Sequence, residues 1–140
     1  MPLVEKTQFE ELRVYQLAGK LADIVWSVVR KWDLFARDTV GKQIIRSADS
    51  IGANIAEGCG RGSYQDNRRF VRIARGSLNE TKHWLRRACN RGLLDQDSLN
   101  TIKPLVRELG PKLNAYLTSI GPGEDHRARD HKRIEHSTDS

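Results

Sequence analysis

The sequence predicts an all-α protein, an antiparallel up-down-up-down four-helix bundle that assembles as a homo-oligomer. Three observations point there. Four segments repeat their apolar residues at the step of a helix, and the breaks between them are short enough to return each helix against the last. At 140 residues and 38% hydrophobic, the chain can bury one core and is expected to form a single domain over residues 9–120. The first and third helices carry more apolar surface than one core requires, which predicts burial against another copy.

Residues 1–8 are expected to be a flexible N-terminus. The first helix, over residues 9–32, carries Val14, Leu17, Leu21, Ile24, Val25, Val28 and Trp32 on one face. Tyr15, Ala18, Ala22, Trp26 and Val29 form a second apolar strip beside it, either a wide core face or a surface for self-association. The second helix is expected to start at Asp38 as N-cap and to end at Gly58 or Gly60. Its core row is Val40, Ile44, Ala48, Ile51, Ile55 and Cys59. Alongside runs a row of Gln43, Ser47, Ser50, Asn54 and Glu57, small or hydrogen-bonding side chains that suit a close structural or assembly seam. A catalytic strip would use similar residues but needs a base, and none stands here.

Gly58-Cys59-Gly60-Arg61-Gly62-Ser63 interrupts the pattern. Clustered glycines before a helix can cradle phosphate, with Arg61 reaching the same anion; they serve equally as a helix terminus and a tight turn. No strand precedes them and no Lys-Ser or Lys-Thr follows. Ser63 can cap the third helix, whose core row is Phe70, Val71, Ala74, Leu78, Thr81, Leu85, Ala88 and Cys89, flanked by Ile73, Ser77 and Trp84. Arg91-Gly92 ends it, and Asp95 to Ser98 offers caps for a fourth helix with Leu99, Ile102, Leu105, Val106, Leu109, Leu113, Tyr116, Leu117 and Ile120 on its apolar face. Pro104 and Gly110-Pro111 predict a kink or break there. Residues 121–140 are charged and poor in apolar side chains, so a disordered tail is expected. His126, His131 and His136 recur in it at steps of five, too loosely held to predict a metal site.

Charge is the strongest functional signal. Residues 61–91 hold nine Arg and Lys against Asp66 and Glu80, a local balance of +7 in a chain whose total is +6. Arg68, Arg72, Arg75, Asn79, Lys82 and Arg86 follow at steps of four, three, four, three and four, which sets them in one row. Such a row is either a solvated face or a site for a phosphate-rich partner. A sequence pI near 9.6 is compatible with nucleic acid, anionic membrane or acidic protein. The chain has no long apolar run, and its N-terminus lacks the pattern of a secretory signal, so a cytoplasmic, non-membrane protein is expected. Cys59 and Cys89 fall at apolar helical positions and are expected to be reduced core residues.

Four strings carry a resemblance. Phe9-Glu10-Glu11-Leu12-Arg13-Val14-Tyr15, Gln43-Ile44-Ile45-Arg46-Ser47-Ala48, Ser50-Ile51-Gly52-Ala53-Asn54-Ile55-Ala56-Glu57-Gly58 with Arg61, and Ala74-Arg75-Gly76-Ser77-Leu78-Asn79-Glu80 resemble, in order and spacing over about residues 9–120, the bacterial four-helix-bundle proteins encoded in 23S ribosomal RNA intervening sequences. The resemblance implies an antiparallel bundle assembled as a ring-like homopentamer. It also implies distant kinship with the basic accessory variability protein of diversity-generating retroelements, which associates with reverse transcriptase and nucleic acid. Two departures stand out: Trp32-Asp33 where relatives tend to have Phe-Pro, and Gly52 where they tend to have Pro, which predicts a straighter second helix.

The functional expectation is therefore a non-catalytic protein without cofactor or metal. It would bind nucleic acid, RNA or DNA, through Arg61, Arg68, Arg72, Arg75, Lys82 and Arg86, contacting phosphates with little base readout. The alternative is an adaptor or scaffold docking an acidic partner protein on the same arginines.

Overall fold

The computed structural model describes residues 8–122, in which four long helices carry the fold: α1 (Arg13–Val29), α2 (Lys42–Cys59), α3 (Tyr64–Asn90) and α4 (Gln96–Ser119). No strand occurs among the described residues. Expectations for residues 1–7 and for the tail from 123 onwards, with its three histidines, lie outside the described residues. α2 packs on α1 and α3, and α4 packs on the same two, so the helices enclose one core. Leu17, Leu21, Ile44, Ile51, Ile55, Leu78, Leu109 and Leu113 fill it, each at 1% exposure or less. These are the residues the helical spacing selects, because a stripe of this width has nowhere else to leave water.

The first helix is shorter at both ends than its periodicity suggests. Gln8–Glu11 form a separate 3-10 turn, and extended Leu12 divides it from α1. Phe9 meets Tyr15 edge to face with ring centroids 4.9 Å apart, which holds that turn against the helix. At the other end Lys31 and Trp32 donate to Val28 and Val29 carbonyls, tighter i to i−3 bonds that close the helix.

The second helix does not begin at Asp38. Asp33 is the cap, its carboxylate accepting from the Ala36 amide at 3.0 Å, and a single turn, Leu34–Ala36, follows. Arg37–Gly41 then form a π-helical turn before the regular helix. The widened turn coincides with a tight approach. A Cβ on Gly41 would lie 2.6 Å from Val29 Cγ1 and 3.1 Å from the Ala36 carbonyl oxygen, so only glycine lets this segment close on the end of α1. Asp38 falls inside the π turn, where the upstream cap has already started the helix. From Lys42, α2 runs unbroken through Gly52, where a Cβ would make ordinary contact with Tyr15 at 3.6 Å.

The later termini follow their sequence signals. Ser63 Oγ accepts from the Asp66 amide at 3.1 Å, and Asp95 accepts from the Ser98 amide at 2.7 Å. Gly92, at φ 74°, ends α3 with Gly92 N–H bonded to the Cys89 carbonyl and Leu93 N–H to the Ala88 carbonyl. That paired arrangement needs a left-handed residue, which explains the glycine. Of the kink or break expected at the prolines, the break does not occur: α4 passes through Pro104 and Pro111 as one continuous helix. Both rings lie exposed, so water can serve the carbonyls they orphan, while Leu109 and Leu113 between and beyond them stay anchored in the core. The cysteines also depart from the core assignment. Cys59 is half-buried, and Cys89 is exposed because it lies just outside the stripe that ends at Ala88.

Candidate functional site

The α3 helix spans 27 residues, about 40 Å at 1.5 Å per residue, and its two flanks differ in chemistry. One flank faces α2. Ser47 is buried and Thr81 fully so; Thr81 Oγ1 lies 3.0 Å from Ser47 Oγ and 2.8 Å from the Ser77 carbonyl oxygen, its one proton serving either acceptor. Ser50 and Ser77 hydroxyls meet at 2.9 Å, and Asn54 Nδ2 donates to the Ser50 carbonyl at 2.8 Å and to its hydroxyl at 2.9 Å. The small-residue row thus joins α2 to α3 within one chain. Gln43 lies half-buried at the start of this row. Glu57 leaves it: its side chain is 54% exposed and pairs with Arg61 at 3.4 Å. The helical step carries Glu57 past the edge of the contact, where the turn into α3 begins.

Where α2 meets the start of α3, contact becomes closest. A Cβ on Gly58 would stand 2.5 Å from Asn67 Oδ1 and 3.1 Å from both the Asn67 carbonyl oxygen and Phe70 Cβ. Asn67 Oδ1 is buried without a conventional hydrogen bond, facing the bare backbone of Gly58, where a weak C–H···O contact is available. The neighbouring Tyr116 hydroxyl lies 3.4 Å from Cys59 Sγ. Burial first, then the hydrogen bond and charge of Cys59, push that phenol well above its usual 10, with an opposing hydrogen bond from Asn67. The glycine run is therefore a packing and terminating element. Gly58 is buried, Gly60 caps α2 in an ordinary right-handed conformation, and Gly62 stands in open space.

The other flank of α3 carries the cationic row, and the structure divides it. Arg68 is half-buried, its Nη1 donating to the Ile120 carbonyl at 2.7 Å, so it ties α3 to the end of α4. Arg75 Nη1 donates to Asn114 Oδ1 at 3.1 Å. Arg72, Lys82 and Arg86 are exposed, and no salt bridge is formed by any of them among the described residues. Arg61 stands apart in the turn before α3, paired with Glu57 and stacked 4.8 Å from the Phe70 ring, with Arg69 at 4.6 Å from it. Five of the six expected cations thus share one edge, and Arg61 does not.

Two cations that sequence reading did not single out join that edge. On α4, Lys103, Arg107, Gly110 and Asn114 follow at steps of four, three and four, and this is the side that touches α3: Asn114 holds Arg75, and a Cβ on Gly110 would lie 3.9 Å from Lys82 Nζ. Lys103 and Arg107 are exposed. Of the four acids in these helices, Asp97 stands exposed in the first turn of α4 and the other three are held by partners. Asp66 pairs with Arg69, Glu80 accepts from Trp84 Nε1 at 3.5 Å, and Glu108 pairs with Arg13 and Lys112 on the side facing α1. Helical periodicity held the signal, but a four-three-four row of two cations means little until its neighbour is known.

Apolar surface also remains uncovered. Trp26 is 56% exposed on α1, Leu34 and Phe35 in the following turn are 64% and 79% exposed, and Ile73 on α3 is 42% exposed. Tyr15, Ala18 and Val29 of the expected second strip are instead absorbed or half-absorbed into the chain's own core. A crevice lined by Val25, Trp32, Ile44, Leu85, Leu94 and Ile102 offers no ionisable side chain with which to orient a substrate. Among the described residues no three His, Cys, Asp or Glu come together as a metal cluster, and no helix is long and apolar enough to cross a membrane.

The 23S rRNA-intervening sequence protein family matches residues 10–115, which includes all of α1 to α3 and most of α4. The chain belongs to that family. A solved structure from the S23 ribosomal protein family of Bacteroides thetaiotaomicron, a protein of unknown function, superposes with a TM-score of 0.66 at 25% identity, covering 74% of this chain and 97% of that one. Curated proteins yield no match. That neighbour shares the all-helical architecture described above.

Proposed function

We propose that this member of the 23S rRNA-intervening sequence protein family is a non-catalytic, oligomeric nucleic-acid-binding protein. The observation that carries the reading is the exposed edge of α3, where Arg72, Lys82 and Arg86 stand beside Arg75 without an acidic partner among the described residues. Unpaired guanidinium and ammonium groups on a rigid rod release counterions from a polyanion and gain little from a neutral partner. Arg68 contributes charge at the end of the row while holding Ile120, and Arg61 is a peripheral contact at most.

The proposed subunit is an up-down-up-down bundle. Moving three residues forward on α2, from Ser47 to Ser50, moves four back on α3, from Thr81 to Ser77, as antiparallel helices require. Moving from Arg68 to Arg75 on α3 likewise moves back from Ile120 to Asn114 on α4. The proposed assembly is a homopentamer. Exposed Trp26, Leu34, Phe35 and Ile73 supply the apolar area that a subunit contact needs. The exposed arginines of α3 also suit a second reading, an adaptor that docks an acidic partner protein.

Two measurements test the proposal. Sedimentation at micromolar concentration should give about five times the 15.9 kDa chain mass, and a monomer would remove the assembly. Titration with RNA and DNA at rising salt should show association that weakens by roughly 0.7 to 0.9 in log K per unit of log salt for each phosphate neutralised. A folded oligomer that binds neither polymer at low salt would leave the adaptor as the reading of the same arginines.

A further inference from the structure

The two cationic rows on α3 and α4 meet along a single seam. Arg75 touches Asn114, and Lys82 reaches Gly110. Continuing the antiparallel step by one turn sets Arg107 beside Lys82 and Lys103 beside Arg86, all four exposed. With Arg68, Arg72 and Arg75 the seam gathers seven cations, and Asp66, Glu80 and Glu108 all point to other faces with partners of their own. From Arg68 to Arg86 the row extends about 27 Å at 1.5 Å per residue.

The composition of the seam also selects among polyanions. Single strands are flexible, and proteins hold them by stacking their bases on aromatic rings as well as by charge. This seam has no Phe, Tyr or Trp between Arg68 and Arg86 on its α3 edge, or between Lys103 and Asn114 on its α4 edge; its one exposed ring there is the small imidazole of His83, which meets Trp84 edge to face, while exposed Trp26 and Phe35 belong to α1 and the turn beyond it, and Tyr64 stands one turn before the row. What it offers is a straight, pre-ordered line of cations. A duplex presents a stiff phosphate ladder with one charge per about 1.7 Å of axis, so two rigid backbones meet and the ordering cost falls on the cationic side chains alone.

We infer that the α3–α4 seam is a binding site for the phosphate backbone of a nucleic-acid duplex, with Lys103 and Arg107 as binding residues alongside Lys82 and Arg86. This inference rests on the nucleic-acid reading above and narrows it. Phosphates are common to RNA and DNA duplexes, so both are probes.

The test uses the full chain in its native oligomeric state with fluorescent 20-base-pair RNA and DNA duplexes and a 20-nucleotide single strand of mixed sequence, by anisotropy at low and rising salt. The expected result is at least one duplex bound about tenfold more tightly than the single strand. The double variant K103Q/R107Q, altered only at exposed positions, should keep the circular dichroism and mass of the wild type. Its log K against log salt slope for the favoured duplex should fall by about 1.8, two phosphates at roughly 0.9 each. A single strand bound as tightly as the more tightly held duplex overturns the duplex assignment and leaves nucleic-acid binding standing. An unchanged slope in the variant removes α4 from the site and leaves the α3 row. Absence of binding to all three probes defeats the broader reading as well.

Discussion

The two flanks of α3 lie on one helix and solve opposite problems. Toward α2 the side chains shrink to Ser77 and Thr81, the partner row to Ser47, Ser50 and Gly58, and the helices close until hydroxyls bond across the gap. Toward α4 the side chains are long and cationic. Only Arg68 and Arg75 turn inward to neutral oxygens, while Arg72, Lys82 and Arg86 remain in water. Small hydroxyl residues satisfy one another when water is removed, whereas a buried unpaired cation would be prohibitively costly. The difference teaches that the polar positions of one helix divide by size into those that assemble the fold and those left to meet a partner.

The sharpest break in this contrast is steric. Gly58→Ala places a methyl group against Asn67 and Phe70, so the close flank must open, and a loss of about 1 to 3 kcal/mol is expected despite the better helix propensity of alanine. Gly76→Ala, on open surface of the same helix system, should instead gain up to about 1 kcal/mol. Thermal or denaturant unfolding of the pair decides; equal responses would show that the α2–α3 approach is not tight.

A middle-sized effect separates the arginines of the open flank. Arg68→Gln removes the charged donor to Ile120 and should cost about 1 kcal/mol, whereas Arg72→Gln, exposed and without a partner, should stay within about 0.5 kcal/mol. Both should weaken polyanion binding. If the two variants unfold alike, Arg68 belongs with the binding row and not with the fold.

The smallest effect lies in acid. The amide and then the side chain of Ser98 hold the Asp95 carboxyl below its usual 3.8. A folded value below the unfolded one adds stability above that range and loses it as pH falls through the folded value. Asp95→Asn keeps a capping group without the charge, so its deficit in melting temperature relative to wild type should be largest near neutral pH and close below about 3.8. Asp49, raised by burial and by Asp23, acts in the opposite sense in both proteins and cancels in the comparison. A deficit that widened in acid would show that the cap does not work through its charge.

Much of the fold was legible because helical spacing is a local property. The stripes from Val14 to Val25 and from Ile44 to Ile55 name core residues without a structure, and Ser63, Gly92 and Asp95 mark termini through bonds that span only a few residues. The site was legible as a charged row, but its members were not equivalent. Whether an arginine faces water or an oxygen on another helix depends on α4, which the spacing of α3 does not encode.

Sequence alone therefore determined the all-helical class, the four apolar stripes, the caps at Ser63 and Asp95 and the cationic bias of α3, since each follows from interactions within one or two turns. Tertiary structure decided the rest. It closed the start of the second helix on α1 at Gly41, carried α4 through both prolines, put Glu57 in solvent, drew Arg68 inward and brought Lys103 and Arg107 to the α3 edge. The physical reason is common to all five: what a side chain does at the rim of a stripe depends on whether a second helix excludes water there.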